Sequence, residues 1–228
     1  FRSSIYANLE REVGSTEFVG YTDNTAKSKI LGIIEGEGFV DVVLDKTPFY
    51  AECGGQVGDS GIIENNNLKL EVLTTFKVNE LYVHRCTLLN GDITIGEEVC
   101  AKIDSERRAE IRLHHTSAHL LQAGLIKVVG DEVKQAGSQV EENRMRFDFT
   151  FSRAMTPDEI KKTEKVINNW IKQGIEVHTD VMSIEEANQT GATALFGEKY
   201  GDTVRVVSIG KDKECISKEF CAGTHAGI

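Results

Sequence analysis

The chain has 228 residues, a formal net charge of -10, 40% hydrophobic residues and 27% charged residues, a balance that fits one large or two small globular domains and excludes disordered, collagenous and coiled-coil classes. No apolar run approaches the roughly 20 residues of a membrane-crossing helix, and Phe1-Arg2-Ser3-Ser4 lacks the basic flank and apolar core of a signal peptide, so a cytoplasmic setting without membrane contact is expected. Five cysteines, an odd number in a chain large enough to bury a core without staples, point to reduced thiols or metal ligation, and the acidic balance opposes nonspecific nucleic-acid binding while leaving room for local basic patches.

In chain order, the first residue is not Met and residues 1–17 carry no clear pattern, so a linker or an excision boundary is expected there. From Thr16 to about Asp104 the pattern is of short strands: Lys29 to Ile34, Phe39 to Leu44, Leu68 to Phe76, Leu81 to Thr87 and Glu97 to Ile103. Turn signals such as Glu35-Gly36-Glu37-Gly38 and Asn65-Asn66-Asn67 separate them, which suggests a small barrel. From Ser105 a long helix begins, with Ile111, Ala118, Leu121, Leu125 and Val128 at helical spacing, and the domain boundary is placed there, giving 1–104 and 105–228.

A strand pair, Val133 to Val140 and Arg144 to Phe151, follows. Thr156-Pro157-Asp158-Glu159 then supplies an N-cap, a first-turn proline and a capping-box glutamate for a helix whose Ile160, Ile167, Trp170 and Ile171 should face a core. A strand from Glu176 to Met182 leads into a second capping box, Ser183-Ile184-Glu185-Glu186, and Val204 to Ile209 reads as a buried strand. The expected class is α+β: a small N-terminal β-barrel, then an α/β sandwich-like core.

The densest chemistry is His115-Thr116-Ser117-Ala118-His119 on the long helix, where residues four apart project from one face and two imidazoles can grip one ion. Cys221-Ala222-Gly223-Thr224-His225 repeats that spacing with a second pair of ligand types, so four of the six histidines and five cysteines fall into two matched pairs. Three imidazoles and a thiolate suit tetrahedral Zn2+ better than magnesium or calcium, and Gly223 would let the backbone turn both of its neighbours onto the ion. Four protein ligands favour a structural ion slightly, whereas a catalytic zinc keeps a position open.

A second dense stretch, Thr47-Pro48-Phe49-Tyr50-Ala51-Glu52-Cys53-Gly54-Gly55-Gln56-Val57-Gly58-Asp59-Ser60-Gly61, is either a ligand-contact loop or a set of barrel turns. Arg107, Arg108 and Arg112 form a basic patch that could hold a phosphate backbone or be a solvated helix face. Lys199, within Gly191 to Asp202, could reach a phosphate or pair with a carboxylate. His84, His114 and His178 belong to no matched pair and read as structural or surface residues.

Taken together, the Thr-Pro-Phe-Tyr and Gly-Gly-Gln loop, the HxxxH helix, Gln135-Ala136-Gly137-Ser138, Ala194-Leu195-Phe196-Gly197-Glu198-Lys199-Tyr200-Gly201-Asp202 and the terminal Cys-Ala-Gly-Thr-His resemble, in this order, the editing domain of alanyl-tRNA synthetase and its free-standing AlaX relatives. The resemblance covers roughly residues 18–225 and implies hydrolysis of misacylated tRNA(Ala), chiefly seryl-tRNA(Ala) and also glycyl-tRNA(Ala). It implies His115, His119, Cys221 and His225 as zinc ligands. It also implies a substrate pocket lined by Thr47, Gln56, Gly54 and Gly55, with Thr47 reading the serine hydroxyl and Gln56 helping to position water. The expected partner is the acceptor end of tRNA(Ala), held in part by Arg107, Arg108, Arg112 and Lys199, together with the remainder of the synthetase if the chain is excised from one. The sequence departs from the family pattern at Ala222, where many relatives have a second glycine, and residues 1–17 have no match. The other readings are a free-standing trans-editing protein and a non-catalytic zinc-stabilised RNA-binding module.

Overall fold

A computed structural model describes residues 2–194 and 200–227 of the chain. It is α+β and divides into two compact units, residues 1–53 with 57–108, and residues 54–56 with 109–228.

The first unit opens with α1 (Arg2–Val13), where the sequence suggested only a linker. The strands that follow are β1 (Glu17–Phe18), β2 (Thr25–Glu35), β3 (Val40–Leu44), β4 (Lys46–Thr47), β5 (Gly61–Glu64), β6 (Leu68–Val78), β7 (Leu81–Gly91) and β8 (Glu98–Ile103). β1 and β4 pair in parallel, and the other six close a barrel in the order β2-β3-β7-β6-β5-β8. β5 is too short to stand out as a sequence pattern, yet it pairs with both β6 and β8 and so completes the ring. Alternation along the first half of β6 and along β8 sends Leu68, Leu70, Val72, Val99, Ala101 and Ile103 into the barrel, where they meet Ile30, Val42, Leu44, Phe49 and Ile63.

β3 breaks the alternation because both of its faces are covered. Val40, Val42 and Leu44 fill the barrel, while Val43 joins a second cluster with Tyr6 of α1, Leu81 and Val83, flanked by Leu9 and Val13. The Tyr6 hydroxyl donates to Asp41 at 2.9 Å, and Arg85 forks onto the same carboxylate at 2.9 and 3.0 Å. A helix with almost no apolar content at its start thus acquires its place from one tyrosine and two aliphatic side chains.

The helix α2 (Ser105–Val129) belongs to the second unit from Ala109 onward, and Ile111, Ala118 and Leu125 of its expected apolar stripe are buried. The hairpin β9 (Lys134–Val140) and β10 (Met145–Thr150) follows, then α3 (Pro157–Gln173), β11 (Val177–Ser183), α4 (Ile184–Gln189), β12 (Thr203–Ile209), a 3-10 turn at Asp212–Glu214, and β13 (Ser217–Phe220). β11, β12 and β13 form an antiparallel sheet in that order, with Ala187, Val204, Val206 and Phe220 at its apolar centre. Both capping boxes are formed, at Thr156 with Glu159 and at Ser183 with Glu186.

The expected core face of α3 needs correction. Ile160 and Ile171 are exposed, and Thr163 is the buried residue, with Ile167 beside it against Gly124 of α2. A side chain at Gly124 would start 3.0 Å from Ile167 Cγ1, so the absent Cβ is what brings the helices together and rotates the contact toward Thr163. No helix among the described residues is long and apolar enough to cross a membrane.

Candidate metal centre

Four donor atoms converge in the second unit. The ligand atoms of His115 and His119 on α2 and of Cys221 and His225 after β13 all lie within 4.8 Å of one another. The Cys221 sulfur is 3.4 Å from His115 Nε2 and 3.3 Å from His225 Nε2. A tetrahedral zinc with bonds of about 2.0–2.3 Å spaces its ligand atoms roughly 3.3–3.8 Å apart, a range that the two sulfur–nitrogen separations match, and the donor chemistry suits that ion. Burial pushes the Cys221 thiol up, but the neighbouring imidazoles, His115 foremost, outweigh it and hold the thiol well below its usual range as a thiolate. Burial pushes His225 down, toward the neutral imidazole that a metal ligand must be, whereas at His119 the attraction of Cys221 and Glu219 outweighs burial and raises it.

Two of the imidazoles, His115 and His225, are held by hydrogen bonds at Nδ1, and His119 Nδ1 lies at ion-pair distance from a carboxylate. His115 Nδ1 is 2.7 Å from Gln56 Oε1, His119 Nδ1 is 2.6 Å from Glu219 Oε2, and His225 Nδ1 is 3.0 Å from Thr116 Oγ1. The Arg112 guanidinium donates to the His225 carbonyl, and Ala226 N–H donates to Thr116 Oγ1 at 3.0 Å, so the last turn of chain is tied to α2 at two points. Such outer partners set ring orientation and ligand basicity. Thr116, Thr224 and Glu219 were not picked out from the sequence. A strand's period of two puts Glu219 on the same face as Cys221, and that signal could have found it.

Gly223 serves a purpose other than the turn expected of it. Its backbone is not in the left-handed region; instead a Cβ there would lie 1.9 Å from His115 Cε1, 2.3 Å from His115 Nδ1 and 2.8 Å from Gln56 Oε1. Close approach is what excludes a side chain. Ala222 is exposed, so its methyl group is accommodated there.

The other expected site residues are placed as follows. Gln56 is fully buried, and its amide oxygen accepts from both His115 Nδ1 and Thr224 N–H. Both lone pairs of its oxygen are thus occupied in this arrangement. Gly54 is exposed, and Gly55, at φ 88, passes so near Ser138 that a Cβ would meet its Oγ at 2.4 Å. Thr47 belongs to the first unit, fully buried, its Oγ1 2.7 Å from His84 Nε2.

Arg108, expected as a tRNA contact, is 4% exposed, paired with Asp59, and donates to the carbonyls of Gly20 and Pro48. Arg107 is half-buried and donates to the Gly58 carbonyl at 2.9 Å, and Arg112 serves the metal centre as above. At Arg108, therefore, the charge is spent inside the protein. Lys199 lies outside the described residues. A hollow of about 190 Å³ lined by Gln122, Thr193, Lys218 and Glu219 includes none of the four metal-ligand candidates. None of the five cysteines forms a disulfide.

Comparison with known proteins bears on this geometry. The family model of class II (A) tRNA synthetases matches residues 3–107. The chain is 48% identical over 234 residues to an alanine–tRNA ligase of Acetivibrio thermocellus, covering 98% of the chain and 26% of that protein. It is 45% identical over 220 residues to the alanine–tRNA ligase of Legionella pneumophila strain Paris (92% and 25%) and 43% identical over 234 residues to that of Wolbachia pipientis wMel (97% and 26%). The chain spans about a quarter of the length of these curated relatives.

Proposed function

We propose that this chain, which belongs to the alanyl-tRNA synthetase family, hydrolyses misacylated tRNA(Ala), chiefly seryl-tRNA(Ala) and also glycyl-tRNA(Ala). The observation that carries the reading is the convergence of His115, His119, Cys221 and His225 from two distant segments of the chain. Such an activity answers a physical need, because a pocket sized for alanine cannot strongly reject the smaller glycine or a serine that merely adds a hydroxyl.

The reaction adds water across the ester joining the amino acid to the terminal ribose, so the acyl–oxygen bond breaks and the ribose hydroxyl leaves with a proton. Bound zinc would supply a Lewis acid beside that ester, orienting a water or the substrate. The chain's own residues surround this centre: Gln56 and Thr116 hydrogen-bond His115 and His225, the Glu219 carboxylate pairs with His119, and Arg112 anchors the carbonyl of His225.

Thr47 is the proposed reader of the serine hydroxyl. His84 Nδ1 faces the Val42 carbonyl at 2.8 Å and must carry the proton, so Nε2 accepts from the Thr47 hydroxyl, while Phe49 N–H donates to Thr47 Oγ1 at 3.1 Å. One lone pair of Thr47 is left, which suits it to accept from a serine O–H. Since Thr47 is fully buried, substrate engagement has to uncover it. The tRNA(Ala) acceptor end is the proposed partner and the cytoplasm the proposed setting.

The reading is tested by deacylation of seryl-, glycyl- and alanyl-tRNA(Ala) with zinc-loaded, chelated and zinc-restored protein. Loss of serine and glycine, sparing of alanine and dependence on zinc are expected. Folded, zinc-loaded protein that binds tRNA but hydrolyses no ester would replace it with a zinc-stabilised RNA-binding module.

A further inference from the structure

Gln56 is the point where the two ligand-bearing segments of the second unit are joined. Its Oε1 accepts from Thr224 N–H at 2.9 Å, and a backbone amide can only donate, so the orientation of the side-chain amide is settled. The amide nitrogen then donates to Thr224 Oγ1 at 2.9 Å. With Oε1 so assigned, the 2.7 Å contact to His115 requires Nδ1 of that ring to carry a proton, so the neutral ring that binds a metal would present its lone pair at Nε2, the nitrogen that faces Cys221 at 3.4 Å. By contrast, the hydroxyl of Thr116 can donate or accept and so does not choose a tautomer for His225.

Position supports the same conclusion. Residues 54–56 are counted with the second unit although the chain on either side belongs to the barrel. They are held there by Val140 N–H on the Gly55 carbonyl at 2.7 Å and by a bridge between Gln56 and Val140. Gly55 permits this approach to β9, since any side chain would collide with Ser138, and Gly223 leaves room for the Gln56–His115 contact.

We propose that Gln56 is a positioning residue of the metal centre, which fixes His115 in its Nδ1-protonated tautomer and clamps the Cys221–His225 turn to α2. It acts through His115 and does not touch substrate. The proposal rests on the reading of the four-ligand cluster as a zinc site, and it assigns the Gly-Gly-Gln loop to building that site.

The test is zinc affinity by competition with a chromophoric chelator, measured on the full chain for wild type, Gln56→Leu and Gln56→Glu, with the ¹⁵N spectrum of the histidine rings recorded on the metal-free proteins. The leucine variant removes the acceptor, and its zinc affinity should fall about 10–100-fold, with loss of the Nδ1-protonated signature of His115. The glutamate variant keeps an acceptor for both His115 and Thr224, and should bind zinc within about threefold of wild type, an amount that corresponds to under ~1 kcal/mol. Wild-type affinity in a folded leucine variant would overturn the proposal. If the leucine variant does not fold, the glutamate variant decides: a tenfold or greater loss overturns the acceptor role, and near-wild-type affinity upholds it. A wild-type chain that binds no zinc would overturn the metal reading itself, a result separate from any effect at Gln56.

Discussion

Replacing Gly223 by alanine places one methyl group against the metal centre and nowhere else. The new carbon would start 1.9 Å from His115 Cε1 and 2.3 Å from its Nδ1, where non-bonded heavy atoms prefer about 3.5–4.0 Å. The ring or the turn must therefore move by roughly 1.5 Å, well beyond the ~0.2 Å within which zinc–ligand distances hold. Because Gly223 is not in the left-handed region, backbone strain does not contribute and the whole effect is steric. The same methyl would lie 2.8 Å from Gln56 Oε1, so the outer contact that orients His115 is disturbed together with the ring. The expected result is a loss of zinc affinity of at least tenfold in chelator competition, with zinc-dependent deacylation falling in parallel. Alanine already occupies the exposed neighbouring position, so Ala222→Gly should change neither readout. A Gly223→Ala protein that binds zinc as wild type does would refute the argument from close approach.

Cys221→Ala removes the only sulfur of the cluster and should abolish both bound zinc and deacylation; retained hydrolysis by metal-free protein would sink the assignment. Arg108→Ala leaves Asp59 buried without its partner and should cost about 3–5 kcal/mol in denaturant unfolding; a loss of tRNA affinity with unchanged stability would restore Arg108 as an RNA contact. Burial pushes His84 down to about 4 from 6.5. Between those pH values the unfolded chain takes up a proton that the folded barrel refuses, so stability falls as pH drops through this window, by about 3 kcal/mol in all. The acid slope should shrink in His84→Gln, and an unchanged slope would show that other groups cause it. Thr156→Ala deletes half of the first capping box and should lower stability by about 1 kcal/mol in the same unfolding assay.

Local rules carried much of this molecule. The barrel strands, the long helix from Ser105 and both capping boxes follow from two- and 3.6-residue periodicity and from hydrogen-bond chemistry confined to four consecutive residues. The candidate metal ligands were legible for a related reason: an i, i+4 pair of histidines on a helix needs no knowledge of the fold to be seen as one face. Only tertiary structure could decide the rest, because it depends on atoms brought together from far along the chain. The partner of Gln56 lies 59 residues away on α2, and nothing in a Gly-Gly-Gln string says whether its amide meets a substrate or a histidine. Arg108 reads as a surface charge until Asp59 and the carbonyls of Gly20 and Pro48 are folded around it. Gly223 invites an explanation by conformational freedom, but the requirement comes from a ring 108 positions earlier, since steric exclusion belongs to the packed state and leaves no trace in the local sequence.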